Sequence, residues 1–263
     1  MGSDWDPGQY GRFKAERSQP FWDLVALVDA SSPIGRAVDL GCGTGELTAE
    51  VARRWCVAEM VGVDNSPNML AAAADSAGAG VRFEHGDIAS FTADHDVDLV
   101  LANASLQWVP DHAAVLGRWT AALRPGGQLA VQVPANADHA SHLASAHVAS
   151  TEPFLSAMGG APPADPVAVG VLPPEQYAEL LFSLGFEQQH VRLQVYPHVM
   201  ASSADVVEWT KGTSLTRFFK VLPAALHEPF VDAYRAELLR RIGDHSPYFY
   251  AFKRILVWGR LAA

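Results

Sequence analysis

The stretch that most limits what this chain can fold into is Ala37–Gly45, AVDLGCGTG. The run Ala37-Val38-Asp39-Leu40 leads into Gly41, Gly43 and Gly45 at alternate positions, and Glu46–Arg54 then carries its apolar residues at helical spacing. That order dictates a buried strand, a turn free of side chains and a helix start. Glycine permits positive φ and lets a ligand lie on the backbone, and the helix beyond offers N–H groups with no partner inside it. A dinucleotide fingerprint wants a further glycine three residues after the second, and here Glu46 stands in that place. Its carboxylate would meet a pyrophosphate as a like charge, whereas an amine, a sulfonium or a ribose is compatible with it. Val61-Gly62-Val63-Asp64 reads as the second strand, and Asp64, 19 residues after Gly45, suits two ribose hydroxyls.

The pattern Asp39-x-Gly41-x-Gly43-x-Gly45 resembles motif I of the Rossmann-like (class I) S-adenosylmethionine methyltransferases. The resemblance implies S-adenosyl-L-methionine as cofactor, with Asp39, Gly41, Gly43 and Gly45 at its turn and Asp64 as its ribose acid. The competing reading, glycines used only for the sterics of a tight turn, loses weight because further motifs follow in register.

The formal net charge of −10 argues against general nucleic-acid binding, which needs a basic footprint. Charge is uneven, with 10 Lys+Arg against 23 Asp+Glu in residues 1–195 and 9 against 6 in residues 196–263. Ordinary variation of helical surfaces and an anion-receiving C-terminal part account for this equally well. Two cysteines, Cys42 and Cys56, make no disulfide framework and fit a reducing compartment. Met1–Tyr10 lacks the pattern of a signal peptide and no apolar run approaches a membrane span, so a soluble cytoplasmic protein is expected.

Along the chain, Trp5-Asp6-Pro7, Tyr10, Phe13 and Arg17 form a polar segment with spaced aromatics. Such a segment covers a sheet edge, or Tyr10 and Arg17 fold over the cofactor and meet its carboxylate. Phe21–Val28 reads as an amphipathic helix, and Asn65-Ser66-Pro67 as a capped helix start continuing to Ala77. Val81–Ile88 reads as the third strand. Asp87 offers an acceptor for an adenine amine and Ile88 an apolar face for its ring; the plainer alternative is an Asp that caps the next helix. Val97–Asn103 is a fourth, almost wholly apolar strand. Asn103–Trp108 then faces the crevice at the strand C-termini, shared with the glycine turn, Asp64 and Asp87. Trp108 serves packing, or favours a sulfonium methyl through its ring face.

A helix is expected from Pro110-Asp111-His112 to about Leu123, a turn at Arg124–Gly127, and a fifth strand at Gln128–Pro134. Asp138–Met158 is helical in tone. His139, His142 and His147 lack a carboxylate or cysteine at ligand spacing, so they read as solvent-exposed histidines rather than a metal site. Gly159–Pro174 reads as a loop, Glu175–Leu184 as a helix, Glu187–Val199 as a strand, Ser202 onward and Pro223–Ile242 as helices, and Tyr248–Leu261 as the last strand. The fold class expected is a Rossmann-like α/β, doubly wound, mostly parallel seven-stranded sheet. It would form a single domain over 1–263, with a cap segment at 1–30 and a helical lid at 202–246 inserted before the last strand.

Several stretches are closer than the superfamily requires. Asp4-Trp5-Asp6-Pro7-x-x-Tyr10, Phe13-x-Ala15-Glu16-Arg17-Ser18, Ala102-Asn103-Ala104-Ser105-Leu106-Gln107-Trp108, Pro110-Asp111-His112, Leu129-Ala130-Val131-Gln132 and Val207-Glu208-Trp209 resemble the trans-aconitate 2-methyltransferase family. The resemblance is weakest over 140–200. It implies methyl-ester formation on trans-aconitate, a small tricarboxylate. Such a substrate is ionised at neutral pH and needs no general base, so no catalytic acid or base is expected and Gln107 and Trp108 would only position it. Its remaining carboxylates need cations, and Arg forks suit them best. Among Lys211, Arg217, Lys220, Lys253 and Arg254, the choices are Arg254, in a family-like Phe-x-Arg context, and Arg217, with Trp5, Gln107 and Trp108 completing the pocket. Exposed surface charge is the alternative for each arginine. Rival functions are methylation of another small molecule, a nucleotide-binding oxidoreductase, or a binding module that keeps the cofactor without turnover.

Overall fold

Burial explains the strands at the centre of this protein. In the computed structural model, which describes residues 14–263 and side chains from Ser18 onward, β1 (Arg36–Leu40) and β4 (Val97–Asn103) are apolar runs buried along most of their length, as strands covered on both faces must be. Around them lie β2 (Glu59–Asp64), β3 (Val81–His85), β5 (Leu123–Pro134), β6 (Phe186–Met200) and β7 (Tyr248–Leu261). The sheet order is β3-β2-β1-β4-β5-β7-β6. Pairs among β1 to β5 are parallel and β7 runs antiparallel to β5. The order reverses between β1 and β4, the switch point at which open α/β sheets bind ligands.

The helices are α1 (Lys14–Val25), α2 (Glu46–Trp55), α3 (Pro67–Ala73), α4 (His112–Ala122), α5 (Ala140–Ala149), α6 (Phe154–Ala157), α7 (Pro166–Gly170), α8 (Pro174–Ser183), α9 (Asp205–Lys211), α10 (Thr216–Phe219) and α11 (His227–Ile242). Ser66 caps α3 by accepting the Met69 N–H, with Pro67 in the first turn.

The chain divides into two compact units. Described residues 14–134, 170–194 and 254–263 make the first, whose core includes Leu24, Val51, Met60, Leu99, Leu101 and Leu256. Residues 135–169 and 195–253 make the second, and 202–246 fall within it. Its centre is aromatic: Phe230 packs edge-to-face against Phe154 and tilted against Phe218, at 5.1 and 5.0 Å between ring centroids. No helix among the described residues is long and apolar enough to cross a membrane.

Several boundaries differ from the sequence expectation. The first described helix spans Lys14–Val25, with Pro20 inside it, where the sequence predicts a start at Phe21. The third strand ends at His85, so Asp87 and Ile88 lie beyond it. The turn expected at Arg124–Gly127 is carried within β5, where only Gly126 takes a positive φ, +74°. The helix expected over 138–158 is two helices, because Pro153 has no N–H to continue the ladder. The expected loop 159–174 contains the helical turn α7. Helix α9 starts only at Asp205, whose carboxylate accepts the Ser202 N–H at 2.9 Å and holds the residues before it out of the helix.

Candidate functional site

The glycine turn divides its labour. Gly41, at φ +86°, accepts no side chain, since a Cβ there would lie 2.2 Å from Ser105 Cβ. A Cβ at Gly45, φ +71°, would lie 2.4 Å from the Phe83 ring. At Gly43, φ +56°, an added Cβ meets nothing within 4 Å. Gly43 is therefore the point where the backbone is open to a ligand, while its neighbours are glycine for packing. The turn is tied to β2: the Gly41 and Cys42 N–H groups both donate to the Val63 carbonyl, at 2.7 and 3.1 Å.

Asp64 ends β2 half-buried and grips both sides of the crevice. Its Oδ2 accepts the Gly43 N–H at 2.9 Å and its Oδ1 the Ser66 N–H at 2.8 Å. A carboxylate oxygen accepts at two lone pairs, so each retains capacity for one ribose hydroxyl. Asp39 is placed differently. It is 3% exposed, and Thr48 donates to its Oδ2 at 2.5 Å, which braces α2 against β1. Burial pushes its pKa up to about 7 against the lowering effect of the Thr48 bond, and the nearby Asp64 charge adds to the rise.

Asp87 is exposed, and its Oδ1 accepts the Ala89 N–H at 2.9 Å, so the capping alternative is realised for that oxygen. Ile88 is buried beside it, its carbonyl accepting the Trp119 indole N–H at 2.9 Å. After Asn103, Ala104 takes a positive φ of +54° and Ser105 Oγ donates to the Leu40 carbonyl at 2.6 Å, joining the ends of β4 and β1. Ser105 was not singled out from the sequence, although it lies in the Asn-Ala-Ser-Leu-Gln-Trp run. Gln107 is buried and donates to the Ala104 carbonyl at 2.6 Å, leaving its Oε1 without a donor; Asn103 Oδ1 also lacks one. Trp108 is 46% exposed.

His112 fixes this run from below. The Leu172 N–H donates to Tyr177 Oη at 3.3 Å, and that oxygen lies 2.7 Å from His112 Nδ1, in hydrogen-bond contact with it. Burial holds the imidazole pKa below the usual value, which favours its neutral form.

The cationic choices separate. Arg254 sits on β7 opposite Pro134 and is 8% exposed. Arg217, on α10, lies 3.5 Å from Asp165, donates to the Ser214 carbonyl at 2.9 Å and stacks over Phe218. Asp165 also meets His142 Nδ1 at 2.5 Å. This corrects the expectation of solvent-exposed histidines: His142 and His139 are part-buried, a carboxylate does join His142 in space, and only His147 is exposed. Lys211 and Lys253 pair with Glu208 and Asp138. Among the described residues no group of His, Cys, Asp and Glu could hold a metal ion. Trp5 and Tyr10 lie outside the described residues, as does the side chain of Arg17.

The fold agrees with the comparisons. Residues 37–127 match a family model described as a methyltransferase domain. The chain is 44% identical to a trans-aconitate 2-methyltransferase of Deinococcus radiodurans over 96% of each chain. It is 39% identical to one of Variovorax paradoxus over 98% of this chain and 96% of the other. Among solved structures, the YcgJ protein of Bacillus subtilis superposes with a TM-score of 0.60 at 15% identity, covering 94% of this chain and 99% of that one. A Haemonchus contortus phosphoethanolamine N-methyltransferase in complex with S-adenosyl-L-methionine gives 0.56 at 18% identity, covering 94% of this chain and 53% of that one. At these identities the two structures speak for the fold alone.

Proposed function

The chain belongs to the trans-aconitate 2-methyltransferase family, and we propose that it transfers a methyl group from S-adenosyl-L-methionine to one carboxylate of trans-aconitate, giving the monomethyl ester. The near full-length relationship carries this reading. The open side of Gly43 next to the lone pairs of Asp64 supports it, because a ribose-bearing ligand fits there and the acidic Glu46 disfavours a pyrophosphate.

When bound, S-adenosylmethionine supplies a methyl group made electrophilic by its sulfonium. The chain's residues hold and orient. The backbone of Gly41–Gly45 forms the floor, over Asp39. Asp64 accepts the ribose hydroxyls, Asp87 and Ile88 receive the adenine, and Asn103 Oδ1 accepts from the ammonium. On the substrate side a carboxylate is already the ionised nucleophile at neutral pH, so no group has to take a proton. Gln107 and Trp108 position it and exclude water, and Arg254 binds a carboxylate that is not methylated. Arg217 remains a substrate candidate only in so far as Asp165 yields its place to a substrate carboxylate. The two free thiols, Cys42 and Cys56, support a cytoplasmic setting.

Transfer of labelled methyl to trans-aconitate, cis-aconitate, citrate and a neutral panel tests the reading. Turnover is expected on trans-aconitate first, and no turnover on any polycarboxylate would overturn it. A thermal shift with S-adenosylmethionine and none with NAD is expected alongside.

A further inference from the structure

Two glutamines of β5 are almost equally buried and differently treated. Gln128, 5% exposed, accepts from the Asp29 N–H and the Trp258 indole N–H and donates to the Asp29 carbonyl. Gln132, 1% exposed, has an Nε2 with no acceptor. Directly opposite Gln132 on β4 stands Asn103, whose Oδ1 has no donor. Residues opposed in a parallel pair project from one face, on strands about 4.8 Å apart. Arg254 is opposite Pro134, two residues beyond Gln132, and by the two-residue period shares that face. The C-terminal ends of β4 and β5 and the facing part of β7 thus carry, side by side, an acceptor without a donor, a donor without an acceptor and a guanidinium.

A buried donor with no acceptor is costly, and Gln128 on the same strand has all its partners within the protein. We infer that Gln132 is a substrate-binding residue: its Nε2–H, together with the Arg254 guanidinium, receives a carboxylate of the polycarboxylate. Asn103, one strand nearer the glycine turn, presents the opposite polarity to the cationic end of the cofactor. The polarity change from β4 to β5 marks where the cofactor ends and the anion begins. This assignment rests on the proposed function and names a residue within it.

Steady-state kinetics of Gln132→Leu with trans-aconitate and S-adenosylmethionine test it. The expected result is a KM for trans-aconitate raised about tenfold, for one charge-assisted hydrogen bond lost. The KM for S-adenosylmethionine should stay within about twofold and the melting temperature should be unchanged or higher, since an apolar side chain removes an unsatisfied donor. Gln132→Glu, which sets carboxylate against carboxylate, should raise the substrate KM further. Gln132→Leu in an Arg254→Gln background should add less than it does in the wild type, because the two hold one anion. An unchanged substrate KM overturns the inference. So does a fall in melting temperature or loss of folded protein on Gln132→Leu, which would make the amide structural. A wild type inert towards every polycarboxylate would instead remove the proposed function itself.

Discussion

The glycine turn of the first unit and the Arg217 cluster of the second treat charge in opposite ways. At the turn, each Asp64 oxygen accepts one backbone N–H, which leaves each with capacity to accept another donor. In the second unit, Arg217 is buried against Asp165, which is shared with His142, and the guanidinium has an acid of its own. A site built on backbone presents its ligand-binding groups outright. A cation within a core is a binding group only after its internal partner is accounted for.

The largest test of this contrast is Arg217→Leu. It leaves the part-buried Asp165 carboxylate with His142 and the Val167 N–H but no guanidinium, and a loss of about 3 kcal/mol in unfolding free energy is expected, read by urea denaturation. Asp165→Asn added to it should restore part of the loss. Wild-type stability with a raised substrate KM would break the contrast by making Arg217 an open anion site. Asp64→Ala comes next: the affinity for adenosylhomocysteine should fall about 100-fold by calorimetric titration, as two hydrogen bonds to a carboxylate disappear. Gly43→Ala is milder for the fold, about 1–2 kcal/mol for a side chain at positive φ with no clash, while cofactor affinity drops because the open face is filled. A protein that binds adenosylhomocysteine normally with alanine at 43 would move the ligand off this turn.

The smallest effect is a slope with pH. The Asp39 pKa is raised in the folded state, to about 7 from an ordinary 3.8. Its contribution is therefore fully present below about pH 4 and lost as pH rises through 7. Between pH 7 and 8 the unliganded wild type should lose a few tenths of a kcal/mol of stability that Asp39→Asn keeps. Parallel curves for the two proteins would remove Asp39 as the titrating group.

What the sequence made legible follows the same line. The strand, turn and helix around Gly41–Gly45, and Asp64 one strand later, could be read because their chemistry is local: glycine spacing, a strand end, a capping Ser66. The last strand reads as Tyr248–Leu261, as observed, because it is dense in aromatic and aliphatic residues and holds no proline. Asp165 escaped notice because it lies 23 residues from His142, within a Gly/Pro-rich stretch, and spacing along a helix cannot reveal that pair. In the sequence Gln132 is only the last residue of the run Leu129-Ala130-Val131-Gln132. Its significance depends on strand register and on the absence of a partner, and neither is written in a single chain. The third strand was drawn too long because Asp87 and Ile88 keep its alternation while the backbone has already turned.

The place of β7 bears on how the protein is made. Strand β5 lies between β4 and β7, yet β7 begins 114 residues after β5 ends, at 248 against 134. Until β7 emerges during synthesis, β5 therefore has one bare edge and β6, whose neighbour in the sheet is β7, has no place to pair. A chain cut short before Tyr248 would expose this edge to its neighbours, with aggregation as the outcome.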